Sequence, residues 1–191
     1  MEFKNIVKQN RSYRRFYEER PIPQDDLIEL IDMARLTPSA QNLQPLRYIP
    51  ASDKEKCSII FTSLYWAGYL TEWQGPDEGE RPSAYIIILS DTSVSKSVKW
   101  DHGIAAQTIL LGAVSKDYGG CIIGSINKDK LRGDLKIPEQ YEIELVIALG
   151  HPKENVIVEE IDKNGNIKYY RDEKLNHHVP KRKLRDIILD L

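Results

Sequence analysis

The chain has 191 residues, enough for one domain with a substantial core and too few for a second of full size. Its 27 Lys and Arg against 29 Asp and Glu leave a net charge of −2, which removes any bulk electrostatic drive toward nucleic acid or an anionic membrane. Any basic function is therefore local. The opening MEFKNIVKQNRSYRR has no apolar signal-like stretch, and the longest apolar runs are strand-sized, so a cytoplasmic globular protein is expected, with no membrane span.

Phe3, Ile6 and Val7 follow helical spacing and predict a short opening helix that stops near Asn10. After Pro21 and Pro23, Leu27, Leu30, Ile31 and Ala34 predict an amphipathic helix, with Asp25 and Asp26 suited to its first turn and Pro38 ending it. Leu46 to Ala51 reads as a strand and Asp53 to Phe61 as a short helix. Residues 71–83 are rich in Gly, Pro and charge and read as a loop. Tyr85 to Leu89 shows no polar alternation and predicts a strand buried on both faces. From Lys99 to about Asp117 the apolar residues run nearly all the way round a helix, which predicts a central core helix stopped by Gly119-Gly120. A short strand at 121–123, a polar helix at 128–135 and a buried strand at 142–149 follow.

Beyond Pro152 the character changes. Val156 to Ile161 and Ile167 to Tyr170 flank Asn164-Gly165, a hairpin signal, and Lys183 to Leu191 reads as a short amphipathic helix. These elements have little core of their own to join, so residues 155–191 are expected to form an arm that packs on a second subunit. The whole is a single domain, 1–191, of the α+β class.

Three segments carry chemistry. Arg11-Ser12-Tyr13-Arg14-Arg15-Phe16 places three arginines where the first helix ends, and guanidinium forks pair bidentately with phosphate. A solvated basic turn is the plain alternative. Thr37-Pro38-Ser39-Ala40-Gln41-Asn42-Leu43-Gln44-Pro45 is a proline-framed loop with hydroxyls and three side-chain amides that both donate and accept; it reads equally as a polar connector. Gly119 to Ser125 contains glycines that let backbone approach a flat ring, or simply end a helix. There is no GxGxxG fingerprint or P-loop. Cys57 and Cys121 have no metal-like spacing and read as reduced core thiols. His102, His151, His177 and His178 show no ligand grouping, so no metal site is expected.

In order and wording these segments resemble the nitroreductase family of FMN-dependent flavoproteins, over essentially the whole chain. The opener is similar to R-x-S-x-R-x-F, the second segment to A-P-S-A-x-N-x-Q-P-W with Leu46 in place of the tryptophan, and Ala105 to Ala113 with Gly119 to Gly124 to the family's A-A-Q-N-L-L-L-A-A helix and G-x-C-x-I-G strand. The resemblance implies a mixed or antiparallel sheet around the central apolar helix, with the C-terminal arm exchanged in a homodimer. It implies that Arg11, Ser12, Tyr13 and Arg14 lie at the FMN phosphate and ribityl chain. Pro38, Ser39, Ala40 and Asn42 would approach the isoalloxazine from the other subunit, and Ile123 and Gly124 would contact it near N5. Lys181 and Arg182, in the basic element after His177-His178, would add phosphate contacts. The implied activity is hydride transfer from NADH or NADPH through FMN to an electron-poor acceptor, a nitroaromatic or quinone, with the flavin and no side chain carrying the redox chemistry. A flavin-binding protein for storage or sensing, without turnover, is the alternative. Trp66, Tyr69, Trp73 and Arg81, between Phe61 and Tyr85, are the residues expected to shape a substrate mouth.

Overall fold

The computed structural model describes residues 2–190. Its helices are α1 (Phe3–Gln9), α2 (Gln24–Arg35), α3 (Lys54–Phe61), α4 (Asp101–Ser115) and α5 (Lys128–Leu135). Its strands are β1 (Leu46–Ala51), β2 (Ala84–Asp91), β3 (Gly119–Ile123), β4 (Tyr141–Gly150), β5 (Val156–Glu160), β6 (Tyr170–Arg171) and β7 (His177–Lys181). The apolar runs at 84–91 and 141–150 become the two inner strands of an antiparallel sheet of order β1-β2-β4-β3. Successive side chains of a strand point to opposite faces, so each run supplies two cores. Ile86, Ile88, Ile147 and Leu149 pack with α2 and α4 on one face; Tyr85, Ile87, Val146 and Ala148 pack with α3 and α5 on the other. Residues 71–83 form no helix or strand. No helix among the described residues is long and apolar enough to cross a membrane.

Local chemistry sets the element ends. The Asp53 carboxylate accepts the Lys56 N–H at the start of α3, and the Asn127 side chain accepts the Lys130 N–H at the start of α5. Asp26, in the first turn of α2, also reaches the end of α4, where it accepts from Lys116 at 3.0 Å and from the Tyr118 hydroxyl at 2.5 Å. That pairing holds the Asp26 carboxyl below its ordinary range.

Two expectations about α4 change. It ends at Lys116 with Asp117 in the left-handed region (φ 60°), while Gly119 and Gly120 already belong to β3. Its buried residues, Leu110 and Val114 among them, also cover a little over half of its circumference and not nearly all of it. Ala105, Ala106, Ile109 and Ala113 are buried, whereas Trp100 just ahead of it and Ile104 remain 75% and 39% exposed.

The arm departs furthest from its sequence. The turn at Asn164-Gly165 forms, with Gly165 at φ 74°, but the flanking segments do not pair as a hairpin. Instead β7 inserts between them, parallel to β5 and antiparallel to β6. The amphipathic tail helix is absent among the described residues; a single 3-10 turn at Leu184–Asp186 stands in its place, and Leu184, Ile187, Ile188 and Leu189 are exposed. With no apolar surface opposite them, those side chains give a helix nothing to pack against. Leu191 lies outside the described residues.

Candidate functional site

After α1 the chain runs along the free edge of β3. Ser12 pairs in parallel with Gly120, and the Tyr13 N–H donates to the Gly120 carbonyl at 3.0 Å. Close approach is possible only because β3 starts with glycines: a Cβ on Gly119 would stand 2.5 Å from the Tyr13 ring. Gly150 does the same for Phe16, whose ring would meet a Cβ there at 2.7 Å. The glycines thus hold the arginine run at a fixed height on the sheet edge.

Arg11, Ser12 and Arg14 line a cleft of about 360 Å³ together with Gln107, His177 and Lys181. Arg11 donates to the Val7 carbonyl at 2.8 Å, and its Nε–H is buried without a partner. Arg14 donates to the Ser12 carbonyl at 3.2 Å and to His177 Nε2 at 3.1 Å, and its guanidinium stands 4.9 Å over the Tyr169 ring. His177 is fully buried, and burial, with Arg14 and Arg171 beside it, pushes its pKa down to about 4. The imidazole is therefore neutral, accepting at Nε2 and carrying its proton on Nδ1. Below it the buried Glu154 carboxylate accepts the Arg14 backbone N–H and an Arg171 N–H at 3.1 Å. Among the described residues none of Arg11, Arg14 and Lys181 pairs with a carboxylate through its side chain. Arg15 differs: Glu80 accepts from it at 2.6 Å, Lys153 adds a contact at 3.0 Å, and these cations hold the Glu80 carboxyl down at about 2. The cleft is thus an unneutralised cationic pocket beside a neutralised structural one, and its chemistry suits an anion with several oxygens.

Pro38 and Ser39 line a second cleft, of about 430 Å³, between α2 and β1. The Ser39 hydroxyl donates to Asp101 at 2.6 Å and accepts from the Gln44 N–H at 2.9 Å, while the Ala40 N–H donates to the other Asp101 oxygen at 3.0 Å. Asp101, at the start of α4, pins a loop in which Gln41, Asn42 and Gln44 all have positive φ, near 53°, 56° and 52°. Non-glycine residues in that region cost about 1 kcal/mol or more each, and such strain concentrates at ligand sites. The exposed Asn42 side chain is left facing outward.

Both clefts touch α4, one at Asp101 and the other at Gln107. Six residues of helix separate these by about 9 Å along the axis and about 120° around it. One chain therefore presents the two clefts on different sides of α4.

The other sequence-predicted residues scatter. Tyr13 turns away from the cationic cleft, its ring against Gly119 and its hydroxyl donating to the Gln9 carbonyl at 3.1 Å. Ile123 is buried in the core, while Gly124 is exposed, and a Cβ there would meet only Leu145, at 3.8 Å. Lys181 joins the arginines; Arg182 instead lines a surface hollow with Asp162 and Lys163. Trp66 and Trp73 pack edge-on at 6.4 Å, Trp73 carries Arg171 at 4.1 Å, and Arg81 stacks 4.5 Å over Phe61. Tyr69 packs 4.9 Å from Tyr169, which links the 61–83 region to the arm and so to Arg14. Gln107, Glu154, Tyr169 and His177 are site residues that the sequence did not single out. Gln107 did carry a signal, as a lone amide in an apolar helix; Glu154 carried none.

A family model described as the nitroreductase family matches residues 7–73 and 79–151. A relative from Methanothermobacter thermautotrophicus, provisionally named NADH dehydrogenase/NAD(P)H nitroreductase, is 30% identical over 162 residues, 81% of this chain and 80% of its own. Among solved structures, an FMN-dependent nitroreductase from Clostridium difficile R20291 superposes with a TM-score of 0.62 at 25% identity, over 78% of this chain and 87% of that one. A nitroreductase family protein from Streptococcus pneumoniae TIGR4 superposes with a TM-score of 0.73 at 18% identity, over the full length of both chains. The family match spans the arginine run, the Asp101-pinned loop and β3 together, and the chain belongs to the nitroreductase family.

Proposed function

We propose that this chain binds FMN and works as an oxidoreductase that passes hydride from NADH or NADPH to an electron-poor acceptor, such as a nitroaromatic or a quinone. The observation that carries the reading is the cationic cleft, where Arg11, Arg14 and Lys181 converge without a carboxylate and Arg11 Nε–H is buried without a partner. A phosphate monoester supplies the oxygens those donors lack. Lys181 adds charge, and Arg182, in its separate hollow, is left out. Gly124 leaves its outer side open for a flat ring system near Ile123. The proline-framed loop is rigid through Asp101, so Pro38, Ser39, Ala40 and Asn42 form a preorganised wall. Ser39 Oγ is already committed to Asp101 and Gln44, so its contribution to a ligand is through the backbone. Since the two clefts face different sides of α4, the reading places that wall over the flavin of a second subunit. When bound, FMN supplies the hydride chemistry, and the chain supplies binding, orientation and the exclusion of water. The relatives named for FMN and for NAD(P)H support the cofactor and the donor.

The test is anaerobic. Protein saturated with FMN should bleach on adding NADH or NADPH and regain its yellow colour with a quinone or nitroaromatic. Flavin that binds but does not bleach would favour storage or sensing, and protein that neither retains FMN nor quenches its fluorescence would refute the reading.

A further inference from the structure

Behind the cationic cleft lies a buried ion pair, Glu154 with Arg171. The Glu154 side chain, between β4 and β5, is 0% exposed. One of its oxygens accepts the Arg14 main-chain N–H, and the other accepts from Arg171 at 3.1 Å. Arg171, on β6, is itself largely buried; its guanidinium stacks 4.1 Å over the Trp73 ring, and its Nε–H has no partner. Burying such a pair desolvates two charges, and their attraction offsets that loss only when the remaining donors are also satisfied. The unpartnered Nε–H shows that they are not, so the pair is a poor device for stability alone. Its place in the fold gives it another use.

Glu154 fixes the main chain of Arg14, one side-chain length from the guanidinium that lines the cleft. A carboxylate there holds the arginine run in place, but it also sets a negative charge beside a site that Arg11, Arg14 and Lys181 make positive. Among the described residues Arg171 is the one side-chain cation paired with it. Arg171 stands opposite His177 in the β6-β7 ladder, so the strand pair that carries the cleft histidine also delivers the neutralising charge. It does not line the cleft. We propose, on the reading that the cleft takes the FMN phosphate, that Arg171 is a positioning residue for that anion. It neutralises Glu154, so the carboxylate anchors Arg14 without repelling the phosphate, and it thereby sets the preference for FMN over riboflavin, the same molecule without the phosphate. A unit charge roughly 10 Å from a dianion, at an effective dielectric of about 20, alters its affinity about tenfold or more.

The experiment measures dissociation constants of the full chain for FMN and for riboflavin, by flavin fluorescence at one low ionic strength. Their ratio isolates the phosphate contribution. Arg171→Gln leaves Glu154 unpaired and should lower the preference for FMN about tenfold, with little change for riboflavin. Glu154→Gln keeps an oxygen for the Arg14 N–H and leaves the Arg171 charge uncompensated, so it should raise the preference about tenfold. The double variant should return to near the wild-type ratio, and Arg171→Lys should keep it. A merely structural pair gives losses in these variants and a gain in none. The gain in Glu154→Gln is therefore decisive even where Arg171→Gln, with its unpaired buried charge, fails to fold. A Glu154→Gln ratio that stays at the wild-type value or falls below it would overturn the proposal. A wild type that holds FMN no better than riboflavin would overturn the phosphate reading and this proposal together. A wild type that prefers FMN, with a ratio the substitutions do not move, overturns this proposal alone.

Discussion

Arg14 and Arg15 are adjacent in the chain, yet one faces a neutral histidine and the other a carboxylate. The difference decides what each substitution does. Arg14→Ala should lower FMN affinity roughly ten- to a hundredfold, the range for a charge-assisted phosphate contact, with little change in melting temperature. Arg15→Ala should instead destabilise the fold through Glu80 and Lys153, with the smaller effect on FMN; equilibrium dialysis and thermal unfolding of both variants check the pair. The sequence could not separate these two residues, because Glu80 lies 65 positions from Arg15 and His177 lies 163 from Arg14. His177 adds a pH dependence. Its folded pKa of about 4 lies below its ordinary 6.5, so between those values the unfolded chain binds a proton that the native one refuses. Its contribution to stability is present above pH 6.5 and is lost as pH falls toward 4. His178 acts in the opposite sense, since Glu159 and Asp172 raise its pKa; its contribution is full below about 6.5 and is lost as pH rises through the raised value. Urea midpoints of the wild type and of His177→Gln should differ least near pH 4, with the difference growing as pH rises toward 6.5.

At the scale of elements, local pattern located the helices and the strands of the main sheet to within a few residues, because each is specified by its own apolar periodicity. The arm was not legible for the same reason. Asn164-Gly165 does make its turn, but β5 takes β7 as a parallel partner through residues 21 positions away, and no local signal encodes that choice. The glycines of β3 read in the sequence as a helix stop or a ring contact, and in the fold Gly119 also makes room for Tyr13. Gly119→Ala should therefore cost about 1–3 kcal/mol through overpacking and weaken FMN binding in step, because the arginine run is lifted from its edge. Gly165→Ala, strained only by its φ of 74°, should cost about 1 kcal/mol and leave FMN binding unchanged. Denaturant titrations beside FMN affinities would separate a positioning glycine from a merely conformational one.

For the whole molecule the question is what covers the exposed apolar surface. Phe3, Leu36 and Trp100 are 68%, 70% and 75% exposed, and the tail leaves Leu184 and Leu189 at 70% and 78%. Exposed apolar side chains are ordinary when scattered singly; these are the ones that the proposed homodimer, with an arm from each chain, would cover. Truncation before Val156 should then abolish both the dimer in light scattering and FMN retention; a flavin-loaded monomer would refute the shared site. Mixing subunits tests the sharing directly. A chain with Arg14→Ala keeps an intact loop, and a chain with Asn42→Ala keeps an intact arginine run. If the site spans two chains, a mixed dimer joins the intact run of one to the intact loop of the other and regains one wild-type flavin site. If both halves of the site come from the same chain, every site in the mixture carries one lesion and no affinity returns. Refolding the two variants together and titrating FMN should show a high-affinity fraction that neither variant has alone. That is the expected result, because the Asp101 and Gln107 faces of α4 lie roughly 120° apart and one chain turns its two clefts in different directions.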